Sequence, residues 1–169
     1  MKKLLALVLV LCCIAPMALA NTSGMAVYTT VSKATNATAD KDGSYEINSN
    51  ICTIVLDDEG KIVDVWFDVA QNKVAFNAAG EAKTAAGTVI PSKFEKKEAY
   101  GMKPASPISA EWYEQARALE LFCIGKTVAE VMGTALEGGY PADADLKAGC
   151  TMKVADLLTA LFMAAQNAR

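Results

Sequence analysis

The chain has 169 residues, 16 basic against 19 acidic side chains, a net charge of −3, and no histidine. The acidic balance excludes a nucleic-acid binder, because phosphate backbones are held by clustered Lys and Arg, and the densest basic stretch, Lys93 to Lys97, is interrupted by Phe94 and Glu95. The lack of histidine removes Ser-His and Cys-His nucleophile pairs and imidazole-rich zinc sites.

Residues 1–20 read as a signal peptide. Lys2 and Lys3 precede an apolar run from Leu4 to Ile14, and Ala18-Leu19-Ala20 is a small-x-small cleavage site that leaves Asn21 first. The run is shorter than the roughly 18 residues that span a bilayer, and no comparable run follows, so no membrane span is expected. Cys12 and Cys13 lack the small preceding residue of a lipidation site. Losing Lys2 and Lys3 takes the net charge from −3 to −5. Residues 21–169 are expected to form a single exported domain, located outside the cell, on its surface or in the periplasm.

Val27, Thr29 and Val31 alternate with Tyr28 and Thr30 at the period of a strand. A polar stretch ends at Asp42-Gly43, and Tyr45 to Leu56 forms a second, centrally placed strand. Asp57-Asp58-Glu59-Gly60 is a hairpin turn. Lys61 to Ala70 returns with Val63, Val65, Phe67 and Val69 on one face and Asp64, Trp66 and Asp68 on the other. Lys73 to Phe76 begins a fourth strand. From Glu81 to Pro107 glycines and prolines break any regular pattern, and so long a connection points to a functional or mobile segment.

Ser109 caps a helix through Ile124. Trp112, Ala116, Leu119, Phe122 and Cys123 form its apolar stripe, Glu111, Glu114, Arg117 and Glu120 its outside, and Gly125 its end. Thr127-Val128-Ala129-Glu130 is a capping box that starts a short helix to Met132. Gly138-Gly139-Tyr140-Pro141 reads as loop. The last helix, from Lys153 to Asn167, carries Val154, Leu157, Leu158, Leu161, Phe162 and Ala165 on one face. Strands first and helices afterwards predict an α+β fold, an antiparallel meander of about four strands packed against two or three C-terminal helices. Cys52, Cys123 and Cys150 sit among apolar or small neighbours and read as buried small hydrophobes.

Two segments resemble the exported FMN-binding domain family. Asp42-Gly43-Ser44-Tyr45 with the turn Glu59-Gly60-Lys61-Ile62 matches its Asp-Gly-x-Tyr entry and Gly-Lys-Ile hairpin. Asp145-Leu146-Lys147-Ala148-Gly149-Cys150-Thr151 is similar to its closing Asp-x-x-Ser/Thr-Gly-Ala-Thr/Ser, where the last hydroxyl is joined to FMN phosphate by a dedicated transferase. Ala148 stands where the family has a hydroxyl residue, and Cys150 where it has alanine. The resemblance implies an FMN-carrying, electron-transfer domain with no catalysis of its own, whose partners are a flavin transferase and a redox protein. Thr151 would be the attachment point, with Gly149, Cys150 and Asp145 around it.

A flavin ring also wants flat walls, and Tyr100, Trp112, Tyr113 and Tyr140 are the aromatics near the irregular segment and the glycine loop; Trp112 begins the helix stripe and reads as core, while Tyr100, in a loop, is the one placed for that role. Phosphate would sit at the first unpaired N–H groups of the following helix. No catalytic pair is evident: Asp64 and Asp68 stand about 13 Å apart along a strand, beyond the roughly 5 to 10 Å of a glycosidase pair. A flavin-free binding or structural module of the cell envelope, using the proline-rich loop around Tyr100 as its contact surface, is the alternative expectation.

Overall fold

The computed structural model describes residues 21–169. The signal-peptide reading of residues 1–20 lies outside them. The fold is α+β, an antiparallel sheet with helices that follow it in sequence. Three long strands, β1 (Thr22–Thr35), β2 (Gly43–Leu56) and β3 (Ile62–Phe76), pair in that order as a meander. The expected fourth strand at Lys73 to Phe76 is the far end of β3, which pairs with Gly43 to Glu46 of β2. Nothing between Ala70 and Lys73 turns the chain, so one strand of 15 residues runs through.

At the β2–β3 hairpin the Asp57 carboxylate accepts the Glu59 and Lys61 N–H groups, and Gly60 takes φ 77°. The pairing then slips, Leu56 facing Ile62 but Val55 facing Asp64, so Val63 is an extra, bulged residue. A bulge shifts the inside-outside alternation by one. Ile62 is therefore buried with Val65, Phe67 and Val69, while Val63, expected inside, is exposed.

Both outer edges of the sheet are partly covered. Along β3 lies α2 (Trp112–Cys123), whose Glu120 carboxylate accepts the Phe67 N–H at 3.1 Å. Along β1 runs the C-terminus, where Arg169 and Ser23 exchange backbone hydrogen bonds and the Asn167 amide donates to the Met25 carbonyl. The short α1 (Lys93–Lys96) packs on β3, with Phe94 edge-on to Trp66 and its N–H donating to the buried Asp68 carboxylate.

Helix α2 starts later than expected, at Trp112 with Glu111 as N-cap; Ser109 lies before it at φ 52°. Glu111 and Glu120, expected outside, are buried because their carboxylates accept backbone N–H groups of neighbouring segments, as does Gln115, which sits on the apolar stripe. Gly125 ends the helix at φ 80°, and the Thr127–Glu130 capping box opens α3 (Val128–Met132) as expected. The predicted loop at Gly138 is a miniature hairpin, β4 (Leu136–Glu137) and β5 (Tyr140–Pro141), whose turn residues Gly138 and Gly139 both take positive φ. Ala144–Gly149 forms α4.

The last helix, α5 (Ala155–Gln166), packs on β1 and β2. It buries Leu157, Leu158, Ala160, Leu161 and Ala164. Phe162, expected in the stripe, is 45% exposed because the buried face is centred nearer Leu161 and Leu157. Leu158→Ala is expected to cost about 2–5 kcal/mol through the cavity it leaves. Exposed Glu114→Ala should cost about 1 kcal/mol, since the Glu114 carboxylate accepts the Glu111 N–H at 2.7 Å at the helix start. Urea midpoints of the two variants check the order.

Candidate functional site

The irregular segment after β3 is pinned at successive points. Ser92 and Glu95 form a capping box at the start of α1, and Asp68 holds Phe94. Tight 3-10 turns at Lys97–Tyr100 and Lys103–Ala105 follow, with Gly101 at φ 73° between them. The Glu111 carboxylate accepts the N–H groups of Met102 and Lys103 at 2.8 and 3.1 Å. The Tyr113 hydroxyl donates to Glu98. A chain that spends its polar groups this way forms a fixed wall.

Opposite that wall is the 150–153 segment, and Gln115 joins the two. Its side chain is fully buried. The amide nitrogen donates to the Ser106 hydroxyl at 3.0 Å and the Ala110 carbonyl at 3.1 Å, which fixes the direction of the amide. The amide oxygen accepts the N–H groups of Thr151 and Met152 at 2.8 and 3.0 Å, with the Thr151 hydroxyl at 3.3 Å.

Between wall and segment lies a cleft of about 420 Å³. Tyr100 and Tyr140 are its accessible aromatic surfaces, with Trp112, a core residue buried to 4% exposure, behind them; Thr151 contributes a half-buried hydroxyl, and Lys93 and Lys153 carry the charge. The Lys93 ammonium lies 5.1 Å from the Tyr100 ring centre and 5.7 Å from that of Trp112, within cation–π range. The aromatic and basic groups come from four different stretches of chain.

Tyr100 and Thr151, two of the residues singled out in the sequence, thus share one cleft. Asp145 does not join them: it is exposed in the first turn of α4, beside a separate hollow lined by Lys126, Glu130 and Asp143. Gly149 is the last residue of α4 and meets α2, where an added Cβ would stand 2.8 Å from that of Ala118, so the glycine serves helix packing. Cys150 is completely buried.

The helix start expected beside Thr151 lies further on. Val154 is the N-cap of α5, and the N–H groups of Val154 and Ala155 both donate to the Gly139 carbonyl at 2.9 and 3.3 Å. The β4–β5 turn therefore closes part of the helix end that was expected to receive a phosphate. Among the described residues no cluster of three or more His, Cys, Asp or Glu suited to a metal occurs, and no helix is long and apolar enough to cross a membrane.

Cys52, Cys123 and Cys150 are free thiols in the core. Burial pushes the Cys123 thiol up to about 12 and that of Cys150 up to about 11, and raises Cys52 as well. Folded thiols stay protonated where unfolded ones ionise, so their contribution is present below about pH 9 and is lost as pH rises toward the folded values. Iodoacetamide at about pH 8 is expected to leave all three unmodified in the folded protein and to label all three in urea, read by peptide mass.

Gln115, Lys93 and Lys153 were not singled out as site residues by the sequence, whereas Tyr140 was among the aromatics expected near a flavin ring, and Tyr113, also among them, does not line the cleft. Gln115 did carry a signal: it lies three residues from Trp112 and four from Leu119, a polar side chain on an apolar helical stripe.

No family model matches the chain, and no solved structure matches it. A chlorophenol reductase of Desulfitobacterium hafniense is 36% identical over 97 residues, which is 50% of this chain and 30% of that protein. The chain therefore spans less than a third of that relative.

Proposed function

We propose that the protein is an exported FMN-binding domain of the electron-carrier type, with the cleft between Tyr100 and Thr151 as its flavin site and no catalysis of its own. The observation that carries this reading is the convergence of three aromatic side chains, a threonine hydroxyl and two lysines on one cleft. Its volume lies within the roughly 300–1,000 Å³ of small-molecule sites, and FMN is itself an aromatic anion, so the residues present suit the group. Tyr100 and Tyr140 would flank the ring with the buried Trp112 behind them, Thr151 would carry the phosphate link, and Lys93 and Lys153 would balance its charge. Bound flavin supplies one- or two-electron transfer; the chain's own residues hold it and limit its exposure to water. The partial likeness to a protein named a reductase supports a redox setting.

The second reading is a flavin-free binding module of the envelope that uses the same cleft. It is favoured by the engaged state of Thr151, whose hydroxyl lies 3.3 Å from the Gln115 amide oxygen, and by the Gly139 carbonyl at the start of α5.

Co-expression with a flavin transferase separates the two. The carrier reading expects one FMN unit added, retained through denaturation because the bond is a phosphoester, and lost in Thr151→Ala. Labelling only after Ala148→Ser with Cys150→Ala would identify a scaffold that has lost its flavin. No labelling of either form, by mass or in-gel fluorescence, together with a colourless purified protein, would overturn the flavin reading.

A further inference from the structure

We propose that the cleft selects an aromatic ligand bearing a phosphate or comparable anionic group, and that Lys93 and Lys153 read the anion. This rests on the cleft being the ligand site, and holds whether or not that ligand is flavin.

The cleft is lined by two lysines and by no carboxylate, in a chain whose acids outnumber its bases by 19 to 16. Neither lysine enters an ion pair; among the described residues those are Lys61 with Glu59 and Arg117 with Glu120. Two acids of the adjoining wall are occupied elsewhere. Glu111 is buried with its two oxygens on the Met102 and Lys103 N–H groups, and Glu98 accepts from the Tyr113 hydroxyl.

Lys93 is half-buried, its ammonium carried over two aromatic faces, so it sits against the ring surfaces of the cleft without a counterion. The Lys153 stem is seated on the β4–β5 turn: a Cβ at Gly139 would stand 2.8 Å from its Cε and 3.2 Å from its Cγ. Both lysines thereby line the cleft. An anion that approaches them gains charge-assisted contacts, while a neutral aromatic of the same shape gains only the ring contacts.

The experiment uses the protein with Trp66→Phe, which leaves Trp112 as the indole reporter within the cleft. Quenching of Trp112 is titrated with FMN and riboflavin, with phenyl phosphate and phenol, and with inorganic phosphate. The expected result is that each phosphorylated aromatic binds about tenfold or more tightly than its neutral partner and than inorganic phosphate, and that the preference shrinks with added salt. Replacing both lysines by methionine should bring each pair within about threefold, and replacing both by arginine should keep the preference. Urea midpoints near that of the parent show that the variants are folded.

Selective binding of phenyl phosphate with no binding of FMN would sink the flavin reading and leave this one standing. Equal affinity within both pairs, a preference unchanged in the double methionine variant, inorganic phosphate binding as tightly as the aryl phosphate, or no binding of any probe would overturn it.

Discussion

Gln115→Met is expected to lower the stability of the protein by about 2–6 kcal/mol. Methionine fills nearly the same volume but accepts and donates no comparable hydrogen bond, so the Thr151 and Met152 N–H groups lose their acceptor and the Ala110 carbonyl loses a donor. A buried backbone group without a partner costs about 1–3 kcal/mol; the Met152 N–H becomes one, and the partly buried Thr151 N–H and Ala110 carbonyl add to it. The same change frees the Thr151 hydroxyl and takes from the Ser106 hydroxyl its shorter partner, leaving it the Ala110 N–H at 3.4 Å, so both walls of the cleft loosen together. Urea unfolding gives the stability. Hydrogen exchange should rise at Thr151 and Met152, while the Phe67 amide, held by Glu120, stays protected. A urea midpoint equal to that of the parent would show that the amide does not tie the segment.

Gly24→Ala is the second large effect. Gly24 faces Ile54 on the side of the sheet that α5 covers, and a Cβ there would meet the Ala164 carbonyl oxygen well inside van der Waals contact and the Ala168 nitrogen at 2.8 Å. These are backbone atoms, which have no rotamer to retreat into. The helix must lift from β1, giving up contacts of Leu161 and Ala164, and the cost is expected to be about 3 kcal/mol or more. Gly60→Ala makes the informative contrast. It has open space around it, and its strain comes from φ 77° alone, so its loss should be the smaller of the two. A Gly24→Ala variant as stable as the parent in thermal or urea unfolding would mean that α5 does not lie this close to β1.

These two positions also mark how far the sequence was legible. The meander, the Asp57–Gly60 turn, the Gly125 stop and the Thr127–Glu130 box were all readable, because each depends on residues within a few positions of one another. Gly24 lies before the alternating Val27–Val31 run and carries no local signal of its own; its need appears only when a helix from the other end of the chain is laid across it. Thr151 and Tyr100 were picked out as site candidates by motif and by loop position. The partners that make a cleft of them, Trp112, Tyr140, Lys93 and Lys153, are distant in sequence from Tyr100 or from Thr151.

What the sequence by itself determined was the class of fold and the order of its long strands and its three expected helices, the short elements at 93–96, 136–141 and 144–149 going unread. Apolar period and turn chemistry are local and act before any packing is known. Tertiary structure decided the rest. The slip at Val63 changed which residues face inward, since a single extra residue reverses the alternation of a strand. Packing buried Glu111 and Glu120, because a helix face that looks solvated alone is drawn inward when backbone N–H groups from other segments need an acceptor, and it gave Gln115, a polar residue on the apolar stripe, the same task. It also turned the Gly139 carbonyl onto the start of α5 and gathered aromatics and lysines on one cleft, a convergence set by where distant segments meet in space.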